Sequence, residues 1–134
     1  MDDLFLLGRI IFGGFFAYSG ANLLLTNAAS AQYAASKGVP MPEVAVVVAG
    51  LLILAGGLSI LIGFLPQAGV GCIALFLLVV TPTMHAFWSE SGAAQMADLI
   101  NFTKNVALMG GALTMLGVPR PWPYSLERRT RIAA

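Results

Sequence analysis

Charge is scarce in this chain. Seven Lys or Arg and six Asp or Glu make up 10% of its 134 residues. A soluble domain carries about 25%. Hydrophobic residues make up 58%, and the mean hydropathy is +0.86. That much apolar surface cannot be hidden in one small water-soluble core, so lipid is the expected solvent. A net charge of +1 gives no reason to expect a nucleic-acid partner. The one cysteine, Cys72, excludes an intrachain disulfide and a CxxC thiol relay. With one histidine, His85, the chain closes neither a structural zinc site nor a haem held by two histidines, so no metal is expected. The ten-residue alternation of membrane β-strands is absent. There is no apparent Ser-His-Asp set and no Gly-rich phosphate loop after a strand.

What is present is four apolar runs, at residues 4–25, 44–65, 68–88 and 99–116. Each has the roughly 17 to 25 residues that a span requires. The expected fold is all-α: a four-helix transmembrane bundle over residues 1–118, followed by a Pro-rich and then basic tail over 119–134. The first run is preceded by the acidic Met1-Asp2-Asp3 and is too long for a signal-peptide core. It therefore reads as a membrane anchor despite the Ala29-Ser30-Ala31 sequence behind it. Pro66-Gln67 predicts a tight hairpin between runs two and three. Ala31, Tyr33, Ala34 and Ala35, stopped by Gly38 and Pro40, predict a short surface helix in the first loop. Arg120, Arg128, Arg129 and Arg131 weight the tail positively against Lys37 in the long loops. The bias places both termini in the cytoplasm of a multi-pass protein. Trp122 and Tyr124 then fit one interfacial belt, and Trp88, Phe87 and Tyr33 the other.

Small residues recur at packing intervals: Gly13, Ala17 and Ala21 in the first run, Ala49, Gly56 and Gly63 in the second, Ala107 and Gly111 in the fourth. They read as close helix packing rather than as a ligand groove. The polar residues inside the runs carry more information, because hydrocarbon makes them expensive. Arg9 either snorkels to the interface or pairs. Tyr18 and Asn22 lie one turn apart, as do Thr81 and His85, while Asn101, Lys104 and Asn105 share a helix face. Pro82 frees the carbonyl of Leu78 between Thr81 and His85. Taken singly, His85 and Lys104 read as interfacial residues; taken together, the set reads as a ligand site in the outer half of the bundle. The expected runs hold no carboxylate, so a relay through Asp or Glu is not expected. The candidate ligand-binding residues are therefore His85, Lys104, Tyr18, Asn22, Thr81, Asn105 and Arg9. Hydrogen-bonding groups in an apolar pocket suit a quinone carbonyl or a lipid headgroup.

The residues resemble the DoxX family of small four-helix membrane proteins over nearly the whole length. The resemblance rests on Leu7-Gly8-Arg9 through Phe12-Gly13 and on Tyr33-Ala34-Ala35-Ser36-Lys37-Gly38-Val39-Pro40. It continues in Gly56-Gly57-Leu58-Ser59 through Gly63, in Thr83-Met84-His85-Ala86-Phe87-Trp88 and in Phe102-Thr103-Lys104-Asn105-Val106-Ala107-Leu108. It implies a bacterial inner-membrane protein tied to quinone-linked redox complexes, with no cofactor of its own beyond a bound quinone or lipid. Relatives often carry a His where this chain has Leu23, which argues against a two-histidine site. Two functions follow as expectations. One is an accessory subunit of quinone-linked redox chemistry. The other is a non-catalytic subunit packed against a larger membrane complex. The expected partners are membrane lipid, other membrane subunits and quinone.

Overall fold

The computed structural model describes residues 1–132; the last two residues of the expected tail lie outside them. Every described element is helical. The α-helices are α1 Asp2–Leu25, α2 Asn27–Ser36, α3 Pro42–Ile62, α4 Pro66–Met84, α5 Gly92–Thr114 and α6 Leu126–Ile132. In lipid no water satisfies the backbone, and helices satisfy it internally. The helices α1, α3 and α4 are long and apolar enough to cross a bilayer unaided. The fourth, α5, has the length, about 35 Å over its 23 residues. It carries Gln95, Asp98, Asn101, Lys104 and Asn105 as well, which makes it the most polar of the four.

The boundaries follow local chemistry. Gly63 ends α3 in the left-handed region at φ 68°, and Pro66 stands in the first turn of α4. Ser59 Oγ reaches Phe64 O at 2.6 Å, which pins this expected hairpin. The third apolar span runs over Pro66–Ser89, close to the expected end at Trp88, but its α-helix α4 stops at Met84. His85 leaves the helix, and Phe87–Ser89 forms one 3-10 turn. The loop expected at 89–98 is mostly helix, because Ala93, Ala94, Gln95, Met96 and Ala97 are good helix formers.

The spans pack in a row. Helix α1 lies on α3, α3 on α4 and α4 on α5, while α2 rests on the first turns of α3. Phe16, Ile53, Ile60, Val70, Ile73 and Leu77 form the buried core. Ala112 of α5 joins Phe16 of α1 in this core, and beside that contact a groove remains between α1 and α5. Leu51, Leu58, Ile62 and Leu78 are exposed, as side chains facing lipid should be.

One sequence expectation is filled in here and another changes. Glycines at 13 and 20 of α1 meet glycines at 50 and 57 of α3. The small residues pack closely as expected, with Gly56 against α4 and Gly63 against the tail, while the adjacent Gly50 and Gly57 make the contact with α1. The tail is also folded rather than pendant. Trp122 is fully buried, edge-on to Phe5 at 5.1 Å, with its indole N–H donating to Val118 O at 3.3 Å. It is a core residue and not part of an interfacial belt, because the chain from 119 turns back under the helix ends.

Candidate functional site

Four of the sequence-predicted residues, Arg9, Lys104, Asn105 and His85, fall in three places. The first is the end of the bundle that holds both termini. Arg9 is 2% exposed there, and it does not snorkel. Its guanidinium donates to Pro123 O and Tyr124 O, each at 3.0 Å, and lies 6.0 Å from the centre of the Trp122 ring. Its Nε is buried without a partner among the described residues. Outside the apolar segments, Tyr124 Oη donates to Asp3 at 3.0 Å, and this bond holds the phenol above its ordinary pKa.

Second is the groove between α1 and α5, about 970 Å³ in volume. Arg9 and Phe12 line one wall and Lys104, Asn105 and Leu108 the other. Lys104 makes no hydrogen bond or ion pair among the described residues. It lies six residues along α5 from Asp98, about 9 Å deeper by helical rise. A cation at that depth ordinarily finds a partner or a cavity.

The third place is the opposite, loop-bearing end. Gly38, at φ +78°, stops α2 and leaves Lys37 at its C-terminus. Lys37 Nζ donates to Glu90 Oε1 at 3.0 Å and to Asp98 Oδ2 at 2.9 Å. The hydrogen bond to Asp98, and after it the one to Glu90, raise the Lys37 pKa above the ordinary lysine range. Asp98 Oδ1 lies 3.1 Å from His85 Nδ1. Phe87, Trp88 and Phe102 pack edge to edge beside this cluster. His85 also lines a second cavity of about 500 Å³ with Tyr33, Val46, Ala49, Phe76 and Met84.

His85 and Lys104 therefore stand apart, and the charged neighbour of His85 is a carboxylate. The fourth run itself holds no carboxylate, but α5 begins about two turns before it and so brings Asp98 into the helix. Thr81 is buried in the core, where its carbonyl accepts the His85 backbone N–H at 3.1 Å. Tyr18 is 73% exposed and Asn22 exposed, and neither lines either of these two cavities. Pro82 is exposed and lines neither. Sequence reasoning missed Lys37, Glu90 and Asp98. The available signal was helical spacing, since Asp98 falls at i−3 and i−7 from Asn101 and Asn105.

The DoxX family model matches residues 4–86. The chain is 30% identical over 126 residues to the inner membrane protein YphA of Escherichia coli (strain K12), covering 94% of this chain and 89% of that protein. No solved structure matches.

Proposed function

The chain belongs to the DoxX family, and from that premise we propose that it is an inner-membrane accessory protein for quinone-linked redox chemistry. It holds the quinone in the groove between α1 and α5. The observation that carries this reading is Lys104, a cation without a partner among the described residues, in the wall of an apolar groove about 970 Å³ in volume. A quinone is a flat apolar ring with two acceptor oxygens and no donor. It therefore needs donors set in apolar walls and lateral access from the bilayer. The Lys104 ammonium and the Asn105 amide donate, Phe12, Phe15 and Leu108 supply the apolar walls, and the groove between α1 and α5 gives the access. A ligand there would also lift the cost of leaving Lys104 unpaired in hydrocarbon. The protein's part is to bind and orient. Arg9 shapes the terminal end of the groove while its terminal nitrogens are committed to the tail.

The test is a titration of the purified chain with a short-tailed quinone, followed by quenching of its intrinsic fluorescence. Lys104→Met keeps the length and apolar bulk of the side chain and removes the donor. Its expected effect is about tenfold weaker binding, the loss of one charge-assisted hydrogen bond. Unchanged affinity would remove Lys104 from the site.

A second reading, a non-catalytic subunit docked on a larger complex, is favoured by the same uncovered groove. Leu4, Ile11 and Phe15 line it and are exposed. Stoichiometric co-purification of a membrane partner, with no quinone extracted from either protein, would decide for that reading.

A further inference from the structure

The cavity beside His85 shares no lining residue with the α1–α5 groove and takes no part in the quinone site proposed for that groove. Its walls come from α2, α3 and α4, with Leu52, Leu75, Phe76 and Val79 among them. Its polar groups are few: His85, Tyr33, Ser30 and Thr83.

The ring of His85 is held in one sense. Lys37 binds Asp98 Oδ2 at 2.9 Å and keeps that carboxylate ionised, so Asp98 only accepts hydrogen bonds. The hydrogen in the 3.1 Å contact between Asp98 Oδ1 and His85 Nδ1 therefore belongs to the imidazole. Nε2 is the nitrogen left over, and it has no partner among the described residues. In the neutral ring it carries a lone pair and accepts. At Nε2 itself a head that only accepts, such as an ether or a ketone, finds no donor, whereas a hydroxyl head supplies a proton to that nitrogen.

We propose that this cavity is a second ligand site, specific for an amphiphile headed by a hydroxyl group, with the hydroxyl donating to Nε2 of His85. Asp98 and Lys37 act as positioning residues, since they fix the tautomer and do not touch the ligand. The apolar tail of the ligand lies along α3 and α4, against Ala49, Leu52 and Phe76.

The full chain in lipid nanodiscs tests this. It has one histidine, so nitrogen NMR of the isotopically labelled imidazole is free of overlap. The expected spectrum shows the proton on Nδ1 and none on Nε2. Para-nonylphenol should move the Nε2 resonance and bind about tenfold more tightly than para-nonylanisole, its methyl ether, which cannot donate. Asp98→Asn sets an amide donor against Nδ1, so the proton should move to Nε2 and the preference for the phenol should vanish. Ala49→Trp fills the cavity from α3 without touching the cluster. It should abolish phenol binding and leave the imidazole resonances in place, which keeps the test valid if Asp98→Asn does not fold. Equal affinity for the phenol and its ether, a proton on Nε2 in the native chain, or saturable phenol binding that survives Ala49→Trp would each overturn the assignment.

Discussion

Gly57→Val is expected to drive α1 off α3 and to produce the largest loss of stability of any single substitution among the spans. A Cβ at this position would stand 2.3 Å from Ala17 N and 2.7 Å from Gly13 O. Both are backbone atoms of α1 and cannot swing aside as a side chain would. The contact is reciprocal: a Cβ on Gly13 would meet Gly57 O and Leu61 N, each at 2.8 Å, and one on Gly20 would meet Leu54 N at 2.5 Å. Helices in lipid have no hydrophobic drive toward each other, so this close approach is itself the source of their association. Overpacking in a tight core costs about 1–3 kcal/mol and sometimes more, and valine against backbone belongs at the upper end. The comparison is Gly71→Ala on α4, where a Cβ meets nothing within 4 Å. There, replacing glycine within a helix should be neutral or stabilise by about 0.5–1 kcal/mol. Thermal unfolding in one detergent should separate the two variants in opposite directions. Equal midpoints would mean that α1 and α3 do not meet through these glycines.

Arg9→Met is expected to release the tail. The substitution removes two hydrogen bonds of 3.0 Å to Pro123 O and Tyr124 O, and with them the cation beside Trp122. Each carbonyl left buried without a donor costs about 1–3 kcal/mol. The tail would then depend on Trp122 in its pocket and on the Arg120–Glu127 ion pair. Limited trypsin digestion reads this directly, since Arg128 and Arg129 are exposed but sit in a segment braced by Ser125. Cleavage there should accelerate by about tenfold or more in Arg9→Met, following the population of the released tail. Arg9→Lys keeps the charge but cannot reach two carbonyls in a fixed fork, so it should fall between. If native and Arg9→Met tails are cut at the same rate, Arg9 does not hold the tail.

How far the sequence reached depends on the kind of contact. The spans were legible because apolar runs of that length have one stable answer in a bilayer. The face of α3 turned toward α1 was not, because Gly56 and Gly57 are adjacent and equally small. Only the packing shows that Gly57 meets α1 while Gly56 lies against Gly69 and Cys72 of α4. Arg9 and Lys104 stood out as charges in apolar runs. What Arg9 binds could not be read, since its acceptors are backbone carbonyls, which every residue carries. The Lys37–Asp98–His85 chain was hidden differently. Its members are 61 and 13 residues apart, and a polar loop reading of 89–98 leaves Asp98 in solvent.

The separation of Lys104 from His85 makes the site of the proposed quinone binding the sharpest question about this protein. A short-tailed azidoquinone, photolysed on the native chain in nanodiscs and mapped by peptide mass spectrometry, answers it. A quinone held between α1 and α5 predicts saturable labelling of the peptides around Phe12 and Phe15 in α1 and around Leu108 in α5, competed by unmodified quinone and reduced in Lys104→Met. Labelling confined to the peptides around Ala49 and Phe76, or labelling that unmodified quinone does not compete, would contradict it.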